Sequence, residues 1–355
     1  MNDSVKNKVD SRYIKVISNI SAEEFKQKYG NVFNLFYDAV NSNDRLKNLP
    51  NEQKEEIAVA RAQAYMVVVM KRESSNDPTL QNPYGFTGWF QMKDISLSET
   101  DYVKKNSEGQ TVFTKKAADA VKAIKEGEIV DNEAMKRFFN NTPESHAVQV
   151  DAFLQYTNKV VTYKTTKATI NELVGKNDGY KVKFKGEEYD ATLEGALMAT
   201  HLLGHAGADK SLVRGKGGAD RNGTTAEEYV ATASGQFKNT DGSSLYFDRE
   251  AVFNEIIRAR GRIASNNDQQ PVLNNQSPNT QSTPNKTIEN PYPITEDERI
   301  KEMQGFFMIL AMIVNALAEP EKQQSVPILS TNTITPPLTT PSSNLVANVP
   351  AVNHR

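Results

Sequence analysis

The sequence predicts an α+β chain that is mostly helical, carries one small β hairpin, and ends in a long segment that does not fold. Three observations point there. Helix-start signals recur through the first 265 residues, while only two stretches alternate in the manner of strands. Composition also breaks sharply: 11 of the 15 prolines follow residue 266, and 18 of the 19 glycines precede it. The 355 residues thus divide into a folding part, 1–265, and a tail of different chemistry.

Taken in order, Ser21 and Glu24 form a capping box that opens an amphipathic stretch through Phe25, Tyr29, Phe33, Phe36 and Tyr37. Residues 1–50 are therefore expected to be an N-terminal helical region packed on a main domain, 51–264. Pro50-Asn51 precedes a second helix, Glu52 to about Glu73. Its body, IAVARAQAYMVVVMK, is apolar nearly all round, so it belongs in the core. Residues 95–141 are polar, with one predicted helix, KKAADAVKAIKEG. Thr142-Pro143 is a cap followed by proline at the first helical position, opening ESHAVQVDAFLQYT. Residues 159–165 and 180–192 alternate, and Lys185-Gly186 marks a turn, so a hairpin or ribbon is expected there. Thr224 with Glu227 is another capping box, and 246–264 reads as helix.

Beyond that, 265–294 is rich in Asn, Gln, Ser, Thr and Pro and reads as a disordered linker. Thr295 with Glu298 caps an apolar helix, 295–320, and 321–355 reads as a disordered tail with recurrent proline. Within that helix the apolar run Gly305–Ala318 is 14 residues long. A spanning helix needs about 20. The run is expected to bury itself against a partner or a second copy in preference to a membrane.

Composition excludes several chemistries. The chain has 42 basic and 44 acidic residues, which gives no electrostatic case for nucleic acid. It has no cysteine, hence no disulfide, thiol nucleophile or cysteine-based metal site. Four histidines make a histidine-rich metal site unexpected. Neither a metal nor an organic cofactor is expected. The polar N-terminus shows no apolar signal-peptide core.

The stretch with chemistry in it is Glu73-Ser74-Ser75, the loop NDPTLQNPY, then Gly85-Phe86-Thr87-Gly88-Trp89-Phe90-Gln91-Met92. Burial and the negative end of a helix dipole both raise a carboxyl pKa, which suits Glu73 to act as a general acid. The Gly-x-x-Gly turn allows close backbone approach to a ligand. Trp89 and Phe90 offer flat faces for sugar rings, and Gln91 a donor and acceptor for an acetamido group. The competing reading is a solvated glutamate, paired with Lys71 or Arg72, beside a packed corner.

As a whole the pattern resembles the lytic transglycosylase (SLT) family of peptidoglycan-cleaving enzymes, whose motifs read ES and GLMQ or GLFQ. Gly88, Phe90 and Gln91 match; Phe86 stands where a small residue is usual, and Trp89 where leucine is. A second segment, Glu194 to Ala208 (EGALMATHLLGHAGA), resembles a phage-type or effector-type branch in which AAAHLGG replaces the family's AYN, with His201 in the tyrosine's place. The NGT turn at 222–224 and the helix containing Tyr229 resemble the same branch. Against the family, 96–141 and 159–190 look like insertions. The glycine-rich 204–211 departs from a phosphate-binding loop and is set aside, and 215–223 reads as a mobile loop in preference to an anion-holding nest.

The resemblance implies a lysozyme-like fold and cleavage of the β-1,4 bond between N-acetylmuramic acid and N-acetylglucosamine. Glu73 would be the catalytic acid and base, and Ser74, Gly88, Trp89, Phe90, Gln91, His201 and Tyr229 would bind substrate. The product would be a 1,6-anhydro sugar, with no second carboxylate required; Asp77 and Asp94 match no motif. Ordinary lysozyme-type hydrolysis, or a non-catalytic lysozyme-like module, are the alternatives. The site of action would be the periplasm or cell wall, reached in a virion, through a dedicated export system, or on lysis. Residues 295–355 would tether the chain to a virion or secretion assembly.

Overall fold

Four helices build the first half of the core. They are α1 (Ser11–Ser18), α2 (Ala22–Lys28), α3 (Gly30–Asn41) and the long α4 (Asn51–Ser74). The computed structural model describes residues 11–44, 46–174, 181–220, 223–234 and 252–260. The expected linker, apolar helix and tail (265–355) lie outside the described residues.

Ser21 caps α2 by accepting the Glu24 N–H at 3.1 Å. The amphipathic stretch that follows is two helices, not one. Tyr29 leaves helical geometry (φ −128°, ψ 44°), and Gly30 opens α3. The break turns the Tyr29 phenol onto the Asp151 carboxylate. Helix α4 is buried from Ile57 to Met70, except for Arg61. Arg61 pairs with the buried Glu194 at 2.9 Å. Arg260, on a helical segment at 252–260, bonds Glu56, the Ile20 carbonyl and Gln63, tying the chain's described end to its beginning.

The polar stretch 95–141 is more structured than its sequence predicts. It holds α5 (Asp94–Leu97), an antiparallel hairpin of β1 (Val103–Lys105) and β2 (Thr111–Phe113), α6 (Lys115–Ala120) and α7 (Asn132–Phe138). The predicted KKAADAVKAIKEG helix stops at Ala120, because Val121 turns extended (φ −126°, ψ 104°) and is buried. Helix α8 (Pro143–Val160) starts at its cap, with Thr142 accepting from Ser145.

Residues 159–165 are not a strand. They end α8 and begin α9 (Lys164–Val174). The hairpin lies wholly within the second alternating stretch, as β3 (Lys181–Phe184) and β4 (Glu187–Asp190), with Val182 opposite Tyr189. Lys185 (φ 51°) and Gly186 (φ 85°) make the two-residue turn. Helix α10 (Leu193–Ala208) breaks its helical angles at Gly204 and runs into a π-helical turn, Asp209–Val213. Helix α11 (Ala226–Ala233) follows. Its cap is Thr225, one residue after the predicted Thr224, because Asp220 holds the Thr224 N–H.

The described residues are thus mostly helical, with two separate two-stranded sheets. None of their helices is long and apolar enough to cross a membrane.

Candidate active site

Glu73 is the next-to-last residue of α4, half-buried at the end of an otherwise buried helix. The helix stops there because Ser75 (φ 53°) and Asn76 (φ 70°) both turn left-handed. Their N–H groups return to the carbonyls of Lys71 and Met70. Among the described residues, non-glycine positions of positive φ are Ser75, Asn76, Gln91 and Lys185. Three of these four flank the loop after Glu73, so backbone strain concentrates around the candidate acid.

That loop is held by a network of hydrogen bonds. Asp77 accepts from the N–H and hydroxyl of Thr79 at 2.8 Å, closing an Asx turn. The Gly88 N–H donates to the Leu80 carbonyl at 2.8 Å. The Gln91 side-chain amide donates to the carbonyls of Leu80 and Gly88, both at 3.0 Å. Thr87 bridges Gln81 on one side and Met92 on the other. Gln149, buried on α8, anchors the whole: its Oε1 accepts the Trp89 N–H at 2.7 Å, and its Nε2 donates to the Pro78 carbonyl at 3.2 Å. Gly88 sits at φ 81°, and a β-carbon there would meet Gln149 Oε1 at 2.5 Å. Both facts require glycine.

Helices α10 and α11 close the site from the other side. The Tyr229 hydroxyl donates to Glu73 Oε1 at 2.5 Å. Arg72 reaches Glu228 at 2.5 Å, and its guanidinium lies 5.0 Å from the centre of the Tyr229 ring. Burial, then the Glu73 charge and the bond to it, push the Tyr229 phenol far above its ordinary pKa. The phenol therefore remains a proton donor toward Glu73 at any physiological pH. His201 Nε2 lies 2.9 Å from the Phe90 carbonyl. A carbonyl only accepts, so Nε2 carries a proton. Nδ1 is buried and has no hydrogen-bond partner among the described residues.

The predicted site residues therefore separate into groups. Glu73 and Tyr229 meet directly, as do Phe90 and His201. Ser74 is buried and returns its hydroxyl to the Met70 carbonyl, away from any ligand surface. Trp89 and Phe90 are not sugar-facing platforms. Trp89 is 0% exposed, donates its indole N–H to the Asn76 carbonyl, and stacks on His146. Phe90 is 1% exposed and stacks on Phe153 with ring centres 4.1 Å apart. Both belong to the core. Gln91 spends both amide protons on the loop, so Oε1 alone is left for an acetamido group. His201 stands edge-on to Phe153 and Tyr156, tying α10 to the motif loop.

The large apolar side chains that the loop does expose are Leu80 and Tyr84. Sequence reasoning passed over both, and it missed Gln149 as well. Among the described residues no cluster of three or more Asp, Glu or His is arranged to hold a metal ion. Comparison of the chain with known protein families, characterised proteins and solved structures finds no match.

Proposed function

We propose that this chain is a peptidoglycan lytic transglycosylase of lysozyme-like fold, with Glu73 as its single acid and base. One observation carries the reading. Two motif segments 156 residues apart meet at the Glu73 carboxyl, where Tyr229 donates its hydroxyl. A half-buried carboxyl at a helix end, gripped by an un-ionised phenol, is an acid/base with a fixed direction.

Glu73 first gives its proton to the oxygen joining muramic acid to N-acetylglucosamine, and the C1–O bond breaks. The substrate's acetamido group supports the positive charge at C1. Glu73, now a carboxylate, takes the proton of the muramic C6 hydroxyl as that oxygen closes on C1. No water is consumed and the acid is regenerated. Exposed Leu80 and Tyr84 are the apolar faces on the loop available to sugar rings. Delivery in a virion or by a dedicated export system, with 295–355 as the tether, belongs to the same proposal.

The second reading is a non-catalytic lysozyme-like module. It is favoured by the burial of Trp89 and Phe90 and by the committed amide of Gln91. Mass spectrometry of fragments released from purified peptidoglycan separates the readings. Anhydro-muramyl products lost in Glu73→Gln support the transglycosylase. Reducing-end products mean hydrolysis, and no products from wild type mean the module.

A further inference from the structure

A cavity of about 260 Å³ opens between α9 and the π-helical turn, lined by Thr165, Ala206, Asp209, Lys210, Arg214 and Lys216. Its charge is unbalanced. Asp209 is buried and grips Arg214 at 2.7 Å, which accounts for the cavity's one carboxylate and fixes the guanidinium in place. Lys210 and Lys216 are exposed and form no ion pair with a described residue. Thr165 is tied to His205 Nδ1 at 2.7 Å. Two net positive charges therefore face this opening.

The local backbone explains why side chains supply that charge. The Arg214 N–H returns to the Asp209 carbonyl, and the Lys216 N–H to that of Lys210, both at 3.1 Å. Gly215, at φ 60°, permits this closure. The backbone donors of Arg214 and Lys216 are thus spent on the turn, and recognition falls to three cationic side chains, one in the π turn and two just after it. Such π-helical turns are rare and recur at functional positions.

The cavity is also linked to the acid. Ser211, in the π turn, donates to Glu227 at 3.2 Å. Glu227 lies two residues before Tyr229, which holds Glu73, and next to Glu228, which holds Arg72.

We propose that this cavity is an oxyanion subsite that takes a carboxylate of the peptide stem carried by the glycan, in the charge-assisted geometry of Arg214, Lys210 and Lys216. The proposal rests on the reading of Glu73 as a peptidoglycan acid/base. It gives that site a preference for strands whose peptide stems carry free carboxylates.

The test is co-sedimentation of the full chain with two insoluble forms of purified peptidoglycan, intact and with its stem carboxylates converted to amides by a carbodiimide and ammonia. The proteins are wild type and Lys210→Ala/Lys216→Ala, with fragment release measured in parallel. The double variant is expected to bind intact material about 5- to 10-fold more weakly than wild type and amidated material equally well. Raised salt should erase the difference. Equal binding of both proteins to intact peptidoglycan, or an equal loss on amidated peptidoglycan, overturns the stem-carboxylate subsite. Lysine-dependent binding without fragment release leaves the subsite standing and overturns the cleavage reading alone. Lysine-independent binding with normal cleavage does the reverse, and absence of both binding and cleavage overturns both.

Discussion

Gly88 and Gln149 are in such close contact that no other residue fits at position 88: a β-carbon there would lie 2.5 Å from Gln149 Oε1. Gly88→Ala therefore meets two obstacles, a left-handed backbone and a clash with a buried side chain. It is expected to destabilise the fold by about 2–4 kcal/mol. Gly109→Ala is the control. Its φ is also positive (78°), but open space surrounds it, so about 1 kcal/mol is expected. Chemical denaturation of the two variants compares them directly; equal losses would show that the Gln149 contact contributes nothing.

Gln149→Ala removes the acceptor of the Trp89 N–H and the donor to the Pro78 carbonyl. Trp89 is the chain's one tryptophan, and it is fully buried. Loosening of the loop is expected to shift its emission to longer wavelength and to reduce fragment release, with Glu73 untouched. An unchanged spectrum would mean that the loop holds without its anchor.

Glu73→Gln is expected to fold normally, since the residue is half-buried and glutamine keeps its shape. Under the proposed mechanism the substitution removes the general acid and lowers the rate by about 10²–10⁴-fold. Fragment release from peptidoglycan reads the loss, and circular dichroism checks the fold. Residual activity near wild type would remove Glu73 from the mechanism.

Tyr229→Phe deletes only the hydroxyl that reaches Glu73. About 1 kcal/mol of stability should go with it, a shift of a few degrees in Tm. Fragment release should fall more steeply than stability does, because the carboxyl loses the group that orients it. A shift in Tm with unchanged fragment release would make Tyr229 a packing residue only.

Asp151 gives the chain an acid-sensitive joint. It accepts from Tyr29, Tyr102, Lys116 and Gln155, which come from α3's entry, the β1–β2 segment, α6 and its own helix. Burial alone would raise its carboxyl pKa; the bonds from Tyr102 and Tyr29 and the charge of Lys116 outweigh burial and hold it below the ordinary value. A depressed folded pKa adds stability above the unfolded value of about 3.9, and that stability is lost as pH falls through the folded pKa. Asp151→Asn is thus expected to lose about 2–3 kcal/mol at neutral pH. Its stability should also fall less steeply than wild type in acid. Parallel acid limbs for the two proteins would contradict the assignment.

Much of the helical skeleton was legible in the sequence because caps are local chemistry. Ser21 and Thr142-Pro143 open helices where their side chains reach the second or third N–H beyond them. Thr224 misled by one residue because Asp220, four positions earlier, holds its N–H and leaves the cap to Thr225. Residues 159–165 alternate like a strand, yet they form a helix end and the next helix start, where alternation arises from a corner. At the site, Glu73 and Tyr229 could each be singled out from motifs. Their contact could not be derived, since it depends on α11 packing across the end of α4. Trp89 and Phe90 were misread because local sequence does not say which face of an aromatic is covered. Gln149 left no signal at all: a glutamine in an apolar helix face looks like any interruption until a loop folds onto it.

The 156 residues between Glu73 and Tyr229 also set a schedule. A ribosome that has completed the glutamate and its whole loop has not yet made the phenol that grips it. The Glu73–Tyr229 contact forms only after α11 has been made and has docked, so a nascent or prematurely terminated chain carries the motif without its partner phenol.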